Sequence, residues 1–456
     1  MKRRLRAWLT KGAAFAPLLL ALVLTWTGGL PWLDYTIYDA QIRLIPPNMQ
    51  KPGVATGITD NVVIVAIDEA SLQRFGRWPW PRDLQAQLIE QLTAAQVRAV
   101  GYNVMLSEAD LDNPASDQRL AQAIQGNGRV VLPIGFARME EKGQLIEIMP
   151  HPLFSTRAAG LGHVLVHRDD DDVVRESWLH AGLGNAIWPG FSVALMRLAE
   201  HRWQLSDVVP GSTPPANADT TEKAQNSPLA LWTLSTQDPI GLDYRLLDRP
   251  TPIISAADIL QNPHTHALRD KIVLVGVTAA GFGDGISTPI AMERENQLTG
   301  VELLALEVRT LAANSEINRL SLGVSLLLAL TLMLLLHISC VRAHDTVKKH
   351  LLWLHALAIT SVLALSLGLM WLADTWFAPS ALLAAILFNY ITSSSRYQEH
   401  IAHAADTDEL TGIANRRRLI EFTQAELRRA RRTRTSVALL VLDLDYFKTY
   451  NDHYGH

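Results

Sequence analysis

The sequence predicts a multi-domain α/β membrane protein: a mainly parallel α/β domain outside the membrane, four transmembrane helices and a small α/β segment on the inner side. Three observations carry this. Four long stretches, 12–33, 320–341, 351–373 and 375–395, contain no Asp, Glu, Lys or Arg. A bilayer core takes about 20 apolar residues as a helix, so each is long enough to span. Between the first two stretches, residues 34–319 have ordinary polar content, and apolar β-branched runs alternate there with helix-like segments, the pattern of βαβ units. Of the 456 residues 48% are hydrophobic and only 19% charged, which excludes a disordered chain and a purely soluble globule. A net charge of −4 argues against nucleic acid as a partner. The single cysteine, Cys340, permits no internal disulfide, so the external domain must be large enough to rest on an ordinary core.

Residues 1–33 form the cytoplasmic N-terminus and first span. Lys2, Arg3, Arg4, Arg6 and Lys11 precede the apolar stretch; Arg342, Lys348 and Lys349 lie between the second and third spans, and Asp374 alone marks the turn between the third and fourth. Positive charge is retained inside, so both termini are cytoplasmic and 34–319 is extracytoplasmic. A cleaved signal peptide is the alternative for 12–33, but 25–32 (TWTGGLPW) offers no small-x-small site followed by polar sequence, which favours an uncleaved anchor. His337 and His355 lie within the spans, toward their cytoplasmic ends, where an imidazole can reach headgroups or a neighbouring helix.

In the external domain, VVIVAI (62–67) reads as a strand buried on both faces and closed by Asp68-Glu69. GRWPWPR (76–82) is a turn in which Pro79 and Pro81 block helix, and 82–95 then has helical periodicity through Leu84, Leu88 and Leu92. Strands follow at 98–104, 129–134 and 271–277, and the Pro- and Ser-rich segment 211–228 reads as a mobile loop. Asp68, Glu69 and the loop with Gly281, Gly283 and Gly285 are expected beyond strand C-termini, where open parallel sheets bind ligands. Asp68 and Asp284 could pair around a cation; equally, Trp78 and Trp80 could only pack the domain and the glycines only make turns. No His or Cys cluster supports a transition-metal site.

The strand ending in IDEASL, the GRWPWPR turn, KIVLVGVTAAGFGDGISTPI (271–290) and TGVELLALEVRTL (299–311), with one anchor before and three spans after, resemble a CHASE2 sensory domain over 34–319. Asn103 stands where such domains often have Asp, and Leu304 where His is common. The resemblance implies an extracytoplasmic sensor for a ligand it does not identify.

Spans two to four occupy 320–395. A linker helix, 396–407, continues the last of them, and a partial catalytic domain, 408–456, follows. Asn415 is a candidate N-cap for the helical run 416–432, whose apolar face has Leu419, Phe422, Ala425 and Leu427. The run from 436 reads as an apolar strand ending in Asp443 and Asp445, carboxylates suited to Mg²⁺ in phosphoryl or nucleotidyl transfer, or equally to capping the next turn.

DELTGIANRR and then LDLDYFKTYNDHYGH resemble the first part of a GGDEF diguanylate cyclase domain, a palm-like α/β fold, with Ile413 and Ala414 as mild departures. The resemblance implies that a homodimer joins two GTP into cyclic di-GMP at a bacterial inner membrane. Asp443 would be catalytic and ligate Mg²⁺ or Mn²⁺ with the carbonyl of Leu444. Backbone N–H groups around Tyr446 and Phe447, with Lys448, would contact phosphates, and Asn451 would bind guanine. The sequence ends at His456, before the Gly-Gly-acid-Glu-Phe hairpin, so the truncated domain as written is expected to be inactive. The alternative is a non-catalytic sensory receptor with a degenerate output domain; a different enzymatic output is opposed by the DELTGIANRR motif, and no kinase-type phosphoacceptor helix follows the last span.

Overall fold

The structure is a computed structural model that describes residues 15–45, 61–139, 144–200, 233–261, 266–283, 285–290, 297–342, 351–406, 408, 411, 413–443 and 445–454. The expected mobile loop at 211–228 lies outside them. The chain divides into two compact units: Leu19–Leu330 with Thr360–Leu383, and Met1–Leu18 with Thr331–Ile359 and Ala384–His456.

The first apolar stretch is not one straight span. It forms α1 (Ala16–Thr27) and α2 (Pro31–Leu44), bent by 76°. Gly28 and Gly29 take φ of 91° and 73° between them, the left-handed region that favours glycine, and Pro31 removes an N–H at the new helix start. Space also demands glycine at 29, where a Cβ would sit 2.6 Å from the Ser380 Oγ and 2.9 Å from the Asp34 carboxylate.

The sensor elements follow in chain order: β1 (Val62–Ile67), α3 (Glu69–Phe75), α4 (Arg82–Ala94), β2 (Ala99–Tyr102), α5 (Pro114–Asn127), β3 (Val130–Arg138), β4 (Leu145–Ile148), β5 (Gly160–His163), β6 (Glu176–Leu183), β7 (Trp188–Pro189), α6 (Phe191–Glu200), β8 (Leu234–Gly241), β9 (Ile253–Ser255), α7 (Ala256–Gln261), β10 (Ile272–Val277), α8 (Gly300–Ala313) and β11 (Asn318–Arg319). Strands β5, β3, β2, β10, β1 and β9 lie side by side in parallel, with β4 antiparallel on the distal half of β3. The sheet is therefore mixed. A second, antiparallel sheet, β7-β6-β8, accompanies it.

Strand side chains alternate between faces, and both faces of β1 are covered. Val63, Val65 and Ile67 pack with Leu88, Leu92, Leu120 and Ile259 of α4, α5 and α7. Val62, Ile64 and Ala66 pack with Leu195 of α6 and Val301, Ala305 and Val308 of α8. Each such aliphatic side chain contributes about 1.5–3 kcal/mol by burial, which is why an uninterrupted apolar run suits β1.

After the sensor come α9 (Leu322–Arg342), α10 (Leu351–Ala373), β12 (Thr375–Trp376), α11 (Ser380–Asp406), α12 (Arg416–Thr433) and α13 (Phe447–Tyr454). Among the described residues two helices are long and apolar enough to cross a membrane, Leu322–Cys340 and Leu351–Ala373, or three if the bent pair counts as one. The expected four are not reached. The charge-free stretch 375–395 does not become one continuous helix, because Thr375 and Trp376 pair with Asn318 and Arg319 and the helix starts only at Ser380. From Ser380 to Arg396 there are then fewer uncharged residues than the roughly 20 of an ordinary span, a mismatch that local thinning of the bilayer can accommodate. Helix α11 is unbroken from Ser380 to Asp406.

A buried cluster fixes α2 to the sensor. The Arg175 guanidinium meets Asp39 at 2.8 and 2.9 Å, Asp169 at 2.8 Å and Asp171 at 2.8 and 2.9 Å, and lies 4.5 Å from the centre of the Tyr35 ring. Breaking a buried ion pair strands the remaining charge, at about 3–5 kcal/mol. Arg175→Met should therefore lower the unfolding free energy of the detergent-solubilised full chain by about that amount, with Arg175→Lys intermediate. A loss below about 1 kcal/mol, the usual size for a surface pair, would show that the cluster does not hold the two parts together.

Candidate functional site

The C-terminal edge of the parallel sheet assembles the sensor residues singled out from sequence. Asp68 follows β1 and caps α3: its Oδ1 accepts from the Ser71 N–H (2.9 Å), the Ser71 hydroxyl (2.7 Å) and the Ser255 hydroxyl (2.8 Å). Partial burial alone would raise its pKa, but these hydrogen bonds together outweigh burial and hold it below the usual carboxylate range. Glu69 Oε1 accepts from the Ala280 N–H at 2.5 Å, tying α3 to the loop after β10. Asp284 lies outside the described residues, and with it the expected pairing with Asp68.

The GRWPWPR turn divides its tryptophans. Trp80 is 2% exposed, donates from Nε1 to the Gly76 carbonyl at 3.1 Å and meets the Phe75 and Trp78 rings edge-on. Trp78 is only half-buried and, with Arg82, Asn103, Glu108 and Asp110, lines an open cleft of about 700 Å³ beyond β2 and β10. Deeper along the same edge is a smaller, partly enclosed cavity of about 160 Å³, with Asn103, His163, Ser177, Leu304 and Glu307 in its wall. Asn103 and Leu304, the two departures noted in the sequence, both face it. His163 and Glu307 were missed; the one signal was a lone charge inside the apolar run LLALEV of α8.

The histidines of the spans have ordinary partners. His355 contacts the Asn389 Oδ1 at 3.1 Å and the Leu351 carbonyl at 2.8 Å, and the His337 ring lies 5.1 Å from that of Phe15.

In the C-terminal segment, Asp408 Oδ1 accepts from the Thr411 N–H (2.9 Å) and hydroxyl (2.7 Å), and its own N–H donates to the Ile413 carbonyl at 2.9 Å. Asn415 caps α12 as expected, accepting from the Arg418 N–H at 3.1 Å. These bonds explain why Asp, Thr and Asn occupy their places in DELTGIANRR. The strand expected from 436 is absent. Leu440, Val441 and Leu442 are 81%, 81% and 85% exposed, because a strand needs a hydrogen-bonding neighbour and none of the described residues pairs with this run.

Asp443 and Asp445 are both exposed beside this run, and Leu444 lies outside the described residues. Tyr446, 86% exposed, adopts φ of 57° and leads into α13, which opens with Phe447 and Lys448 and carries Asn451 one turn later, on the same face as Lys448. Among the described residues no three His, Cys, Asp or Glu side chains converge as a metal cage. Mg²⁺ needs only one or two carboxylates beside phosphate oxygens and water, and a hard-oxygen donor set of Asp443, with Asp445 two residues away, fits that requirement.

The family model described as CHASE2 domain matches residues 16–339. The chain belongs to the CHASE2 domain family. A second model, diguanylate cyclase, GGDEF domain, matches residues 405–456 of this CHASE2 protein. Among curated relatives, the diguanylate cyclase DgcS of Shewanella oneidensis is 41% identical over 71 residues, 16% of this chain and 24% of its own. A diguanylate cyclase of Vibrio cholerae is 38% identical over 66 residues, 14% of this chain and 21% of its own. For DgcM of Escherichia coli the figures are 38% over 66 residues, 14% and 16%. The chain thus spans a quarter or less of the length of these relatives. No solved structure matches it.

Because the Asp68 pKa is depressed in the folded CHASE2 domain, its contribution to stability is complete above the unfolded value of 3.8 and is lost as pH falls through the lower folded value. Asp68→Ala should destabilise by about 1 kcal/mol near neutral pH. The gap from wild type should close as pH falls below 3.8 in thermal unfolding of the solubilised protein. A gap unchanged by acid would mean that the charge of the cap contributes nothing.

Proposed function

We propose that the protein is a multi-pass receptor of a bacterial inner membrane whose outward CHASE2 domain controls an inward GGDEF diguanylate cyclase, joining two GTP into cyclic di-GMP across a homodimer. The observation that carries this reading is the diguanylate cyclase match at 405–456, which begins where the unbroken helix α11 ends. Both termini lie on the cytoplasmic side in this reading, following the Lys and Arg distribution, which requires the uncharged first half of α11 to cross the membrane beside the bent pair, α9 and α10.

Each output residue has a chemical task. The start of α13 leaves N–H groups without intrahelical acceptors, so those around Tyr446 and Phe447 suit phosphate oxygens, and Lys448 adds a point charge beside them. Asn451 offers an amide donor and acceptor to the guanine edge. Asp443, with the carbonyl of Leu444, would hold Mg²⁺ or Mn²⁺, which when bound clamps the triphosphate and eases attack by a ribose hydroxyl.

In the intact protein Asp443→Asn should reduce cyclic di-GMP formation by at least about a thousandfold with the fold unchanged, since it removes charge at the metal and little volume. Asn451→Ala should chiefly raise KM for GTP, about tenfold or more. Near-normal activity of Asp443→Asn would refute the metal role. GTP binding without turnover by the wild type would favour a non-catalytic receptor.

Control through α11 makes a separate expectation. Insertion of one to four alanines after Gln398 rotates whatever follows by about 100° per residue. Cyclic di-GMP output should then vary periodically with insertion length, because two GTP-loaded protomers must face each other. A flat series would mean that the helix transmits no rotation.

A further inference from the structure

The 160 Å³ cavity beyond β2 and β5 contains buried polar groups that the fold leaves incompletely used. Glu307, 8% exposed, projects from α8. Its Oε2 accepts from the Ser192 hydroxyl at 2.7 Å, and Ser177, also in the cavity wall, donates to it. Both partners are neutral, and no Lys or Arg lines the cavity. Burial therefore raises the Glu307 pKa, and the two serine hydrogen bonds only partly offset this.

Also in the cavity wall is His163, 3% exposed at the end of β5. Its Nδ1 accepts from the Leu165 N–H at 3.4 Å, which assigns the proton of the neutral ring to Nε2. Burial first, then repulsion from His180, lowers its pKa to about 4, only weakly opposed by the nearby Trp178 carbonyl. The ring is thus uncharged near neutral pH, and its Nε2 makes no hydrogen bond of good geometry, with the Trp178 carbonyl close by. An orphaned buried donor and a buried carboxyl with no countercharge are each costly by themselves. Val164, Leu165, Leu303 and Leu304 make the rest of the wall largely apolar. A void of about 150 Å³ holds a six-carbon ring, so the space suits a molecule of about six non-hydrogen atoms.

We propose that this cavity is the ligand site of the sensor domain and takes a small primary amine that also carries a hydroxyl or carbonyl oxygen, with the ammonium on Glu307 and the oxygen accepting from His163 Nε2–H. The ammonium supplies the countercharge the carboxyl lacks, and the oxygen supplies the acceptor the imidazole lacks. Nothing in this assignment depends on the cyclase reading, since it concerns binding by the sensor.

The test uses the detergent-solubilised full chain and four probes at matched ionic strength: ethanolamine, propylamine, ethylene glycol and acetate. Ethanolamine should raise the unfolding temperature saturably, propylamine and ethylene glycol more weakly, and acetate not at all. Glu307→Gln, which preserves shape and the serine hydrogen bonds, should weaken ethanolamine binding by about tenfold or more. Leu304→Phe, which fills the space and leaves the polar groups in place, should fold and abolish the response. An equal response to acetate or ethylene glycol would overturn the proposal. So would unchanged affinity in a folded Glu307→Gln or Leu304→Phe protein, or the absence of any saturable response to ethanolamine.

Discussion

One buried guanidinium decides how the first helices are held against the sensor. Arg175 gathers Asp39, Asp169 and Asp171; Asp171 remains 41% exposed, whereas Asp39 and Asp169 are almost fully enclosed. Removal from water penalises those two most, and direct charge-assisted hydrogen bonds answer the penalty only in this geometry. The cluster specifies the position of α2 more than it adds net stability. With α2 placed, Asp34 accepts from the Ser380 N–H at 2.9 Å and the Ser380 hydroxyl at 2.5 Å, satisfying a donor that the start of α11 would otherwise leave open. Gln41 reaches the Ser366 hydroxyl at 3.0 Å, which itself donates to the Phe377 carbonyl at 2.7 Å. The bend at Gly28 and Gly29 is thus required by what α2 must contact.

Legibility followed the length scale of each interaction. The all-apolar β1 and β10 and the Leu periodicity of α4 could be read because burial on both faces, or on one stripe, leaves a local pattern. β5, GLGH, was invisible: glycines read as a turn, yet a Cβ at Gly162 would lie 2.5 Å from the Phe191 backbone, a reason that exists only after α6 has packed. β8, LSTQDPIG, has the polar content of a loop and is held by pairing with β6. The span count failed similarly. Counting uncharged residues cannot reveal that Thr375 and Trp376 leave the helical path to pair with Asn318 and Arg319.

The site residues divide by the same criterion. Asp68 could be placed at a strand end from sequence, but its acceptor capacity is drawn on by Ser71 and Ser255, the latter far along the chain. Glu307 could have been suspected as one charge within an apolar helical stripe, where a carboxylate normally finds a partner. His163 could not, because its lowered pKa and unpartnered nitrogen arise from burial among separate strands. In the C-terminal segment the cap at Asn415 is local and was legible; the apolar run after 436 was read as a strand because composition reports a preference for burial and not the presence of a neighbour.

The cavity and the start of α11 are joined by continuous contacts within one compact unit. Gly300, Leu303, Leu304 and Glu307 of α8 form its wall, and Thr310, one turn on, accepts from the Asp243 N–H at 3.2 Å. Asp243 holds Arg245 at 2.6 Å, and Arg245 reaches Asp374 at 2.8 Å, in the turn that leads through β12 to Ser380. Continuity alone does not make a signal. A ligand shifts a conformational equilibrium only by the difference in its affinity for the two states, and a chain of contacts matters only where it has two arrangements. Here the position of Glu307 bears on the first condition, since an ammonium beside it would supply the countercharge to a buried carboxyl whose present partners are the Ser192 and Ser177 hydroxyls. The second falls on Arg245, which divides its donors between Asp243 beside α8 and Asp374 beside the start of α11. Movement of α8 on binding would change the geometry of the first pair and with it the hold on the second, so a ligand in the cavity would act on the start of α11 through Arg245.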